Sequence, residues 1–240
     1  MALGGRTVLV AGASSGIGRA IALASADAGA GVCLFARDVV RLAEVERMIS
    51  AAGGAAVSVE GDATNPEAAA LAVQTAVRRF GRLDVLVNSV GTNVKNRVLS
   101  AMTLQTWHEL IAVNLQAAYV LTQAVLPVFR ERRDGLLLHV SSGSAKRADW
   151  SGVGYQAAKA GVVALAHGTM EEERENGIRV TVVFPGLTDT PLLQKRPVPP
   201  TPEMLTRALQ PADVAVMCVA AMALPPRAYV PELLVYPSRT

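Results

Sequence analysis

The sequence predicts an α/β fold with one doubly wound, mainly parallel sheet of seven strands and helices on both of its faces. Two observations lead to this prediction. Short apolar segments alternate with helical patterns along the 240 residues, and several of these segments are apolar throughout, as expected of strands covered on both faces. Because no linker and no internal repeat interrupts the pattern, residues 1–240 are expected to form a single domain.

The predicted strands are the apolar and mostly β-branched runs of the chain. In order they read TVLVA from Thr7, VCLF from Val32, AVSVE from Ala56, DVLVN from Asp84, LLLHVS from Leu136, RVTVVF from Arg179 and LLVY from Leu233. The predicted helices lie between them, near residues 17–28, 39–51, 66–79, 104–132, 153–175 and 211–222. The proline-rich stretch 196–202 is expected to be a surface loop that leads into a short helix, within a substrate loop at about 190–208.

The composition argues against nucleic-acid and membrane partners. The net charge of +3 is mild and the basic residues are scattered, so no nucleic-acid groove is expected. The longest apolar region, 110–129, is interrupted by polar side chains and a proline, which favours a packed helix over a membrane span. A strand-like run near the start argues against a signal peptide, and the isolated Cys33 and Cys218 are expected to be buried, reduced thiols. A cytoplasmic protein without a metal site is therefore predicted.

A glycine-rich turn follows the first predicted strand. The segment VLVAGASSGIG places this turn directly before the first predicted helix. A tight turn and a close approach of backbone to a pyrophosphate both favour residues without a Cβ, and a helix N-terminus offers free N–H groups to phosphates. The sequence therefore predicts a dinucleotide site. The loop residues expected to contact the cofactor are Gly12, Ser14, Ser15, Gly16, Ile17 and Gly18.

The Gly-x-x-x-Gly-x-Gly spacing of this turn resembles that of the short-chain dehydrogenase/reductase family, except that Ala11 replaces the family's threonine. The resemblance runs from about Gly4 to the C-terminus and implies a Rossmann-like fold and oxidoreductase activity. It also implies the catalytic residues, since a serine, a tyrosine and a lysine match the family's set in type, order and spacing and an asparagine matches its fourth member. These residues are Ser142, Tyr155, Lys159 and Asn114.

The chemistry of these residues agrees with reduction of a carbonyl. Hydride delivery to a carbonyl carbon leaves an alkoxide that needs a proton, and Tyr155 can supply it. Lowering a phenol pKa from ~10 to ~7 requires about 4 kcal/mol, which a cation about 4 Å away supplies at an effective dielectric constant of about 20. Lys159, one helical turn further on, is therefore expected to lower the pKa of Tyr155. Ser142 is expected to donate a hydrogen bond to the substrate oxygen, and the resemblance gives Asn114 the role of holding a water that links Lys159 to solvent.

The end of the second predicted strand favours NADP(H) over NAD(H). Ala36 and Arg37 stand where an acidic residue would bind the ribose hydroxyls of NAD. Alanine leaves room for a phosphate, and a guanidinium matches a phosphate in geometry and charge. Asp38 is expected to cap the next helix. The resemblance implies that Asp62 contacts the adenine.

Further cofactor contacts are implied by the resemblance alone. Where the family usually reads Asn-Asn-Ala-Gly, this chain has Asn88-Ser89-Val90-Gly91, so Asn88 and Gly91 are retained and Val90 is bulkier than the usual alanine. The segment VFPGLTDTP matches the family's Pro-Gly segment, in which Leu187 is expected to offer backbone groups to the carboxamide. The expected contacts in this segment are Pro185, Gly186, Leu187, Thr188 and Thr190.

The expected substrate is a small carbonyl compound or alcohol. Leucines after Thr190 favour an apolar substrate, whereas Lys195 and Arg196 would meet either an anion or water. The side chains expected to line the substrate pocket are Ser142, Ser144, Trp150 and Tyr155.

Other functions fit the sequence less well. A 3-oxoacyl group on acyl carrier protein is ranked lower, because the glutamates 171–173 would repel an acidic carrier. A catalytically silent NADP(H)-binding regulator would not need the intact serine, tyrosine and lysine. Members of the resembled family commonly pair across a two-fold axis, so a homo-oligomer, either a tetramer or a dimer, is expected.

Overall fold

The computed structural model describes residues 1–239, which form one seven-stranded sheet in the order β3-β2-β1-β4-β5-β6-β7. All six neighbouring strand pairs are parallel, so the mainly parallel sheet of the prediction is parallel throughout. The strands are β1 Thr7–Ala11, β2 Gly31–Ala36, β3 Ala55–Glu60, β4 Val85–Asn88, β5 Gly135–Val140, β6 Ile178–Pro185 and β7 Glu232–Val235. The predicted fold class is confirmed.

The helices occupy the connections between strands, as the alternation predicts. They are α1 Gly16–Asp27, α2 Val39–Ala51, α3 Pro66–Phe80, α4 Leu104–Ile111, α5 Ala117–Arg132, α6 Val153–Glu173, α7 Pro202–Arg207 and α8 Pro211–Ala223. The short α7 lies where the proline-rich loop was expected to lead into a helix. The predicted helix 104–132 is not continuous, because a π-helical turn, Ala112–Gln116, separates α4 from α5.

Local capping explains where two of the helices begin and end. Asp38 caps α2 as predicted, with its carboxylate accepting a hydrogen bond of 3.0 Å from the Arg41 N–H. Asn65 caps α3 in the same way, through a bond of 2.8 Å to the Ala68 N–H. That helix stops at Gly81, whose φ of 76° is in the left-handed region that glycine adopts without strain.

The sheet separates two apolar cores. Side chains that alternate along each strand point to opposite faces. Leu9 and Phe35 join the core under α3, α5 and α6, whereas Val10 and Leu34 join the core under α1, α2 and α8. Helices on both faces thus cover strands such as β1 that are buried along their whole length.

The apolar stretch Leu104–Arg132 is long and apolar enough to cross a membrane by length and composition, with a mean hydropathy of 1.4. In the fold it consists of α4, the π-helical turn and α5, and it packs in the core through fully buried residues such as Leu121 and Phe129. This placement agrees with the sequence prediction that the apolar segment is a packed helix.

The strand order reverses between β1 and β4. The chain proceeds from β1 outward to β3, then returns to place β4 on the other side of β1 and continues to β7. In parallel sheets of this kind, ligands bind in the crevice beyond the carboxyl ends of the strands at the point of reversal. This edge is where the predicted functional residues meet.

Candidate active site

A cleft of about 1520 Å³ lies at the carboxyl edge of the sheet. It brings together predicted residues that are far apart in the sequence: Gly12, Ser14, Ser15, Gly16, Ile17, Arg37, Asp62, Gly91, Ser142, Ser144, Trp150, Tyr155, Lys159, Pro185, Gly186, Leu187, Thr188 and Thr190. Three other predicted residues, Gly18, Asn88 and Asn114, do not line the cleft and are buried behind its wall. These three support the lining residues instead of facing a ligand.

The glycine turn forms a cradle that side chains would fill. A Cβ on Gly12, whose φ is 80°, would lie 2.8 Å from the Ser89 carbonyl oxygen. A Cβ on Gly18 would lie 2.2 Å from the Gly12 carbonyl oxygen, so the start of α1 packs directly on the turn. Ser15 precedes α1 without making a side-chain capping bond to the first-turn N–H groups. The turn therefore fits a pyrophosphate, which those N–H groups can bind.

Ser142 has an oriented hydroxyl group. Its Oγ accepts hydrogen bonds from the Ser144 hydroxyl at 2.9 Å and from the Ser144 N–H at 3.2 Å. Because a hydroxyl oxygen has two lone pairs and one proton, these two bonds leave the proton of Ser142 free to be donated into the cleft. Ser144, predicted as a pocket wall, is 5% exposed and positions Ser142.

Tyr155 and Lys159 are both buried at the base of the cleft, at 8% and 4% exposed. The Lys159 Nζ donates to the Val140 carbonyl at 3.0 Å and to the Val90 carbonyl at 3.3 Å, and it lies 5.9 Å from the centre of the Tyr155 ring. The Ser141 hydroxyl holds this turn of α6 against the end of β5 through a bond of 2.9 Å to the Lys159 carbonyl. The predicted pair is therefore assembled on one helix face.

The expectation that Lys159 brings the Tyr155 pKa down to about 7 is wrong for the protein groups alone. Burial raises the pKa of Tyr155 to about 12, and the nearby Ser142 hydroxyl opposes this only in part. Burial also lowers the pKa of Lys159 to about 8. Burial is the largest influence on the pKa of each of the two groups.

Asn114 lies in the π-helical turn, and the backbone uses both of its side-chain N–H groups and one of the two lone pairs of its Oδ1. Its Oδ1 accepts from the Thr92 N–H at 3.0 Å, while its Nδ2 donates to the Thr92 carbonyl at 3.1 Å and to the Leu110 carbonyl at 2.8 Å. Asn114 thus fixes the loop after β4, and its expected role of holding a water stays a prediction. A Cβ on Gly91, in the same loop, would lie 3.2 Å from Asn114 Oδ1 and 3.3 Å from Lys159 Nζ, which explains the glycine.

His139 is a buried residue of the site region that the sequence interpretation missed. The Thr122 hydroxyl donates to the Ala118 carbonyl at 2.8 Å, so it can only accept from His139 Nε2, which lies 3.4 Å away. His139 Nδ1 is then the acceptor for the Asn88 Nδ2 at 3.2 Å, and Asn88 Oδ1 in turn accepts from the Val90 N–H at 3.1 Å. Burial lowers the pKa of His139 to about 4, so the ring stays neutral and fixes the end of β4. The sequence signal that could have identified His139 is the presence of a histidine within an apolar predicted strand.

Arg37 and Asp62 meet at the opposite end of the cleft. Arg37 Nη1 lies 3.7 Å from Asp62 Oδ2, and the Arg37 side chain is 71% exposed. Partial burial opposes ionisation of Asp62, but hydrogen bonds from Thr64 and the charge of Arg37 outweigh it and lower the pKa of this carboxyl. The ends of β2 and β3 thus carry an exposed guanidinium beside a carboxylate.

The segment after β6 is fixed by its own backbone. The Thr188 hydroxyl donates to the Gly186 carbonyl at 3.0 Å, and the Leu187 carbonyl accepts from the Leu209 N–H at 2.9 Å. The carbonyl of Leu187 thus keeps one lone pair, so both its carbonyl and its N–H can meet a carboxamide, as expected. Thr190 closes this side of the cleft against the glycine turn, since a Cβ on Gly16 would lie 3.3 Å from its methyl carbon.

Two expectations concern residues around the cleft. Trp150 is 94% exposed at the mouth of the cleft, and its expected role as a wall of the substrate pocket stays a prediction. The glutamates 171–173 do not form one exposed acidic patch, because Glu173 is 3% exposed, ion-paired with Arg130 and hydrogen-bonded by Asn176 at 2.8 Å. No group of three or more side chains able to hold a metal ion occurs among residues 1–239.

Comparison with known proteins connects this geometry to a family. The family model described as short chain dehydrogenase matches residues 6–199. An uncharacterised oxidoreductase of Staphylococcus saprophyticus is 32% identical over 233 residues, which are 97% of this chain and 97% of the relative.

Two solved structures share the architecture over almost their whole length. A metagenomic short-chain oxidoreductase in complex with NADP is 34% identical, with a TM-score of 0.85 and 100% of both chains covered. A 3-ketoacyl-(acyl-carrier-protein) reductase from Brucella melitensis, complexed with NADH, is 28% identical, with a TM-score of 0.89 and 99% of both chains covered. These likenesses extend beyond the glycine turn to the complete sheet.

Proposed function

This chain belongs to the short-chain dehydrogenase family, and from that premise we propose that it is an NADP(H)-dependent oxidoreductase that interconverts a ketone and a secondary alcohol. The observation that carries the proposal is the placement of Ser142, Tyr155 and Lys159 around one point of the cleft, beside a glycine cradle that fits a dinucleotide. A protein that only bound the dinucleotide would not need an oriented hydroxyl and a buried phenol next to it.

The glycine turn and the start of α1 would hold the pyrophosphate, and Arg37 would meet the 2′-phosphate of the adenosine ribose. Bound NADPH supplies a hydride. Lys159 has three N–H groups and uses two of them on the carbonyls of Val90 and Val140, so the third is available to the nicotinamide ribose. The residues present therefore fit this cofactor at both ends of the cleft.

Tyr155 is the proposed proton donor to the substrate oxygen, and Ser142 is the proposed hydrogen-bond donor to the same atom. A phenol whose pKa is raised to about 12 is protonated at neutral pH, as an acid that serves reduction must be. Oxidation of an alcohol needs the phenolate, whose formation the burial of Tyr155 disfavours. At neutral pH the protein groups thus hold Tyr155 in the protonated form that reduction requires.

Preference for NADP(H) over NAD(H) is supported by the residues at the end of β2. Ala36 places no carboxylate there, and Arg37 is exposed at the cleft, with Asp62 as an ion-pair partner at 3.7 Å. The NADP and NADH complexes of the two related structures leave the preference of this chain to be measured.

A second candidate function is reduction of a 3-oxoacyl thioester. It is favoured by the similarity to the Brucella melitensis reductase and by the burial of Glu173, which removes one of the three charges that were expected to repel an acidic carrier protein. The free carbonyl compound remains the preferred substrate, because Glu171 and Glu172 are still exposed on α6.

The proposal is tested by following NADPH and NADH oxidation with a panel of ketones, oxo acids, their esters and 3-oxoacyl thioesters. At least one carbonyl compound should be reduced to a single enantiomer of the alcohol, with NADPH preferred by kcat/KM. Tight NADPH binding without turnover of any member of the panel would instead support the silent regulator.

The assembly is proposed to be a cytoplasmic homodimer or homotetramer. Three small residues on one side of α6, Ala157, Ala160 and Ala164, are exposed, which permits a close approach of another copy. Gly161, on the same helix, packs inside the subunit, since a Cβ there would lie 2.8 Å from the Leu115 side chain. Light scattering coupled to size-exclusion chromatography measures the assembly directly.

A further inference from the structure

Arg97 is a buried arginine that lines the cleft and is not explained by the proposed reaction. It lies in the loop between β4 and α4 and is 5% exposed. Its Nε donates to the Val94 carbonyl at 2.9 Å and its Nη2 donates to the Lys195 carbonyl. Within residues 1–239 its Nη1 has no hydrogen-bond partner, and no carboxylate lies within ion-pair distance of the guanidinium.

The position of Arg97 places this charge close to the reacting groups. A Cβ on Gly152 would lie 2.7 Å from the Arg97 Cβ, so the arginine packs on the residue just before α6. Tyr155 is in the first turn of that helix. The loop is held there by Asn93, whose Nδ2 donates to the Ser151 carbonyl at 3.0 Å.

Lys195 adds a second cation to the same end of the cleft. Its Nζ donates to the Thr92 hydroxyl at 2.6 Å, and because an ammonium has three N–H groups, two remain. Arg97 and Lys195 are also joined through the Lys195 backbone carbonyl. The two side chains therefore offer free N–H donors from neighbouring points of the lining.

The surrounding charges do not balance these cations. Arg147 and Arg196 also line the cleft, as do the acids Asp149 and Glu203, and the charges of Arg196 and Asp149 act on Arg97. Asp149 uses its Oδ1 to accept from the Ser151 N–H at 2.8 Å and forms no ion pair with a described residue. Arg97 is buried whereas Lys195 is exposed, so the cost of a buried charge without a partner falls on Arg97, and an anion bound in the cleft would offset that cost.

We propose that the substrate carries a carboxylate close to its carbonyl group and that Arg97 and Lys195 bind this carboxylate. The substrate class is then a short oxo acid, or the corresponding hydroxy acid in the reverse direction. Two separate donors, Arg97 Nη1 and Lys195 Nζ, match the two oxygens of a carboxylate. This assignment rests on the proposed function, since it names the substrate of the same site.

The alternative role of Arg97 is to fasten the segment 191–196 to the loop after β4. A fastening role affects charged and uncharged substrates alike, whereas carboxylate binding affects only the charged ones. The test therefore compares 2-, 3- and 4-oxo acids with their methyl esters, which have the same carbonyl group and no charge.

In the wild type, kcat/KM for the best oxo acid should exceed that for its ester by at least about 10-fold, as a charge-assisted hydrogen bond provides. Arg97→Met should lower the value for the acid by about 10- to 100-fold and that for the ester by less than about 3-fold. Lys195→Met, which keeps the backbone carbonyl that Arg97 uses, should lower the value for the acid by about 10-fold. Arg78→Met, which removes one exposed positive charge outside the cleft, is the matched control.

Calorimetric titration of the oxo acid into the Tyr155→Phe variant with NADPH separates this inference from the proposed function, because it does not require turnover. The carboxylate site is supported if the acid binds more strongly than the ester and if adding Arg97→Met removes this difference. This result would hold even if no ketone is reduced. Equal binding of acid and ester, or an equal loss of both, overturns it. A loss of NADPH affinity instead would assign Arg97 to a cofactor phosphate and also overturn it. If Arg97→Met does not fold, Lys195→Met decides by the same comparison.

Discussion

Replacing Lys159 by methionine is expected to remove a pH dependence from the stability of the fold. The Lys159 ammonium is 4% exposed, and burial lowers its pKa from 10.5 to about 8. The unfolded chain therefore binds this proton more tightly than the folded chain between these two pKa values, and the free energy of unfolding of the wild type rises with pH across that window. Proton linkage with these two values gives a rise of about 2 kcal/mol between pH ~7 and pH ~9.5.

Urea unfolding of the wild type and Lys159→Met at both pH values measures this effect. Comparing the two proteins cancels the titration of groups they share, including Cys33 and Cys218, whose pKa burial raises to about 12. The stability of the variant relative to the wild type should fall by about 2 kcal/mol from the lower to the higher pH. Lys95→Met, at an exposed lysine, should leave the wild-type profile unchanged. A relative stability of Lys159→Met that stays constant within about 0.5 kcal/mol would refute the buried charge.

Three further predictions test other parts of the structure. Arg37→Ala should raise the KM for NADPH by about 10-fold and leave that for NADH within about 2-fold, and equal changes in both would contradict a 2′-phosphate contact. Gly18→Ala, whose Cβ would lie 2.2 Å from a carbonyl oxygen, should lower NADPH affinity at least 10-fold by fluorescence titration, whereas Gly168→Ala has nothing within 4 Å and should not. The pKa of His139 is lowered to about 4 in the folded state, against 6.5 in the unfolded state, so the unfolded state binds more protons as the pH falls. The free energy of unfolding should therefore decrease by about 2 kcal/mol between pH ~7 and pH ~5. His139→Asn should lack this loss in urea titrations, and an unchanged acid profile would be evidence against a buried neutral ring.

Most of the fold is predictable from local patterns in this chain. Strands such as β1 and β4 are short apolar runs next to helical patterns, whereas their order along the sheet comes from the structure. The π-helical turn at 112–116 is not predictable, because its five residues continue the helical pattern of their neighbours. Its cause is the Asn114 side chain, which bonds the Leu110 carbonyl and the loop after β4 and so depends on a contact distant in sequence.

The candidate site is predictable where spacing alone defines it. The glycine turn and the interval between Tyr155 and Lys159 are local, so the sequence places them correctly in one cleft. The pKa of Tyr155 depends on burial by several remote segments, which no interval reveals. Arg97 gives no signal in the sequence either, because a loop arginine is normally exposed, and only its burial in the fold indicates a ligand.

The measurement that tests the proposed mechanism most directly is single-turnover reduction by the Tyr155→Phe variant, together with its affinity for NADPH. The variant should bind NADPH within about 3-fold of the wild type and reduce the best ketone about 10² to 10⁴ times more slowly, since only the proton donor is lost. Tyr119→Phe, at an exposed tyrosine on α5, should behave like the wild type in both measurements. Reduction by Tyr155→Phe at more than about a tenth of the wild-type rate would contradict the assignment of Tyr155 as the general acid.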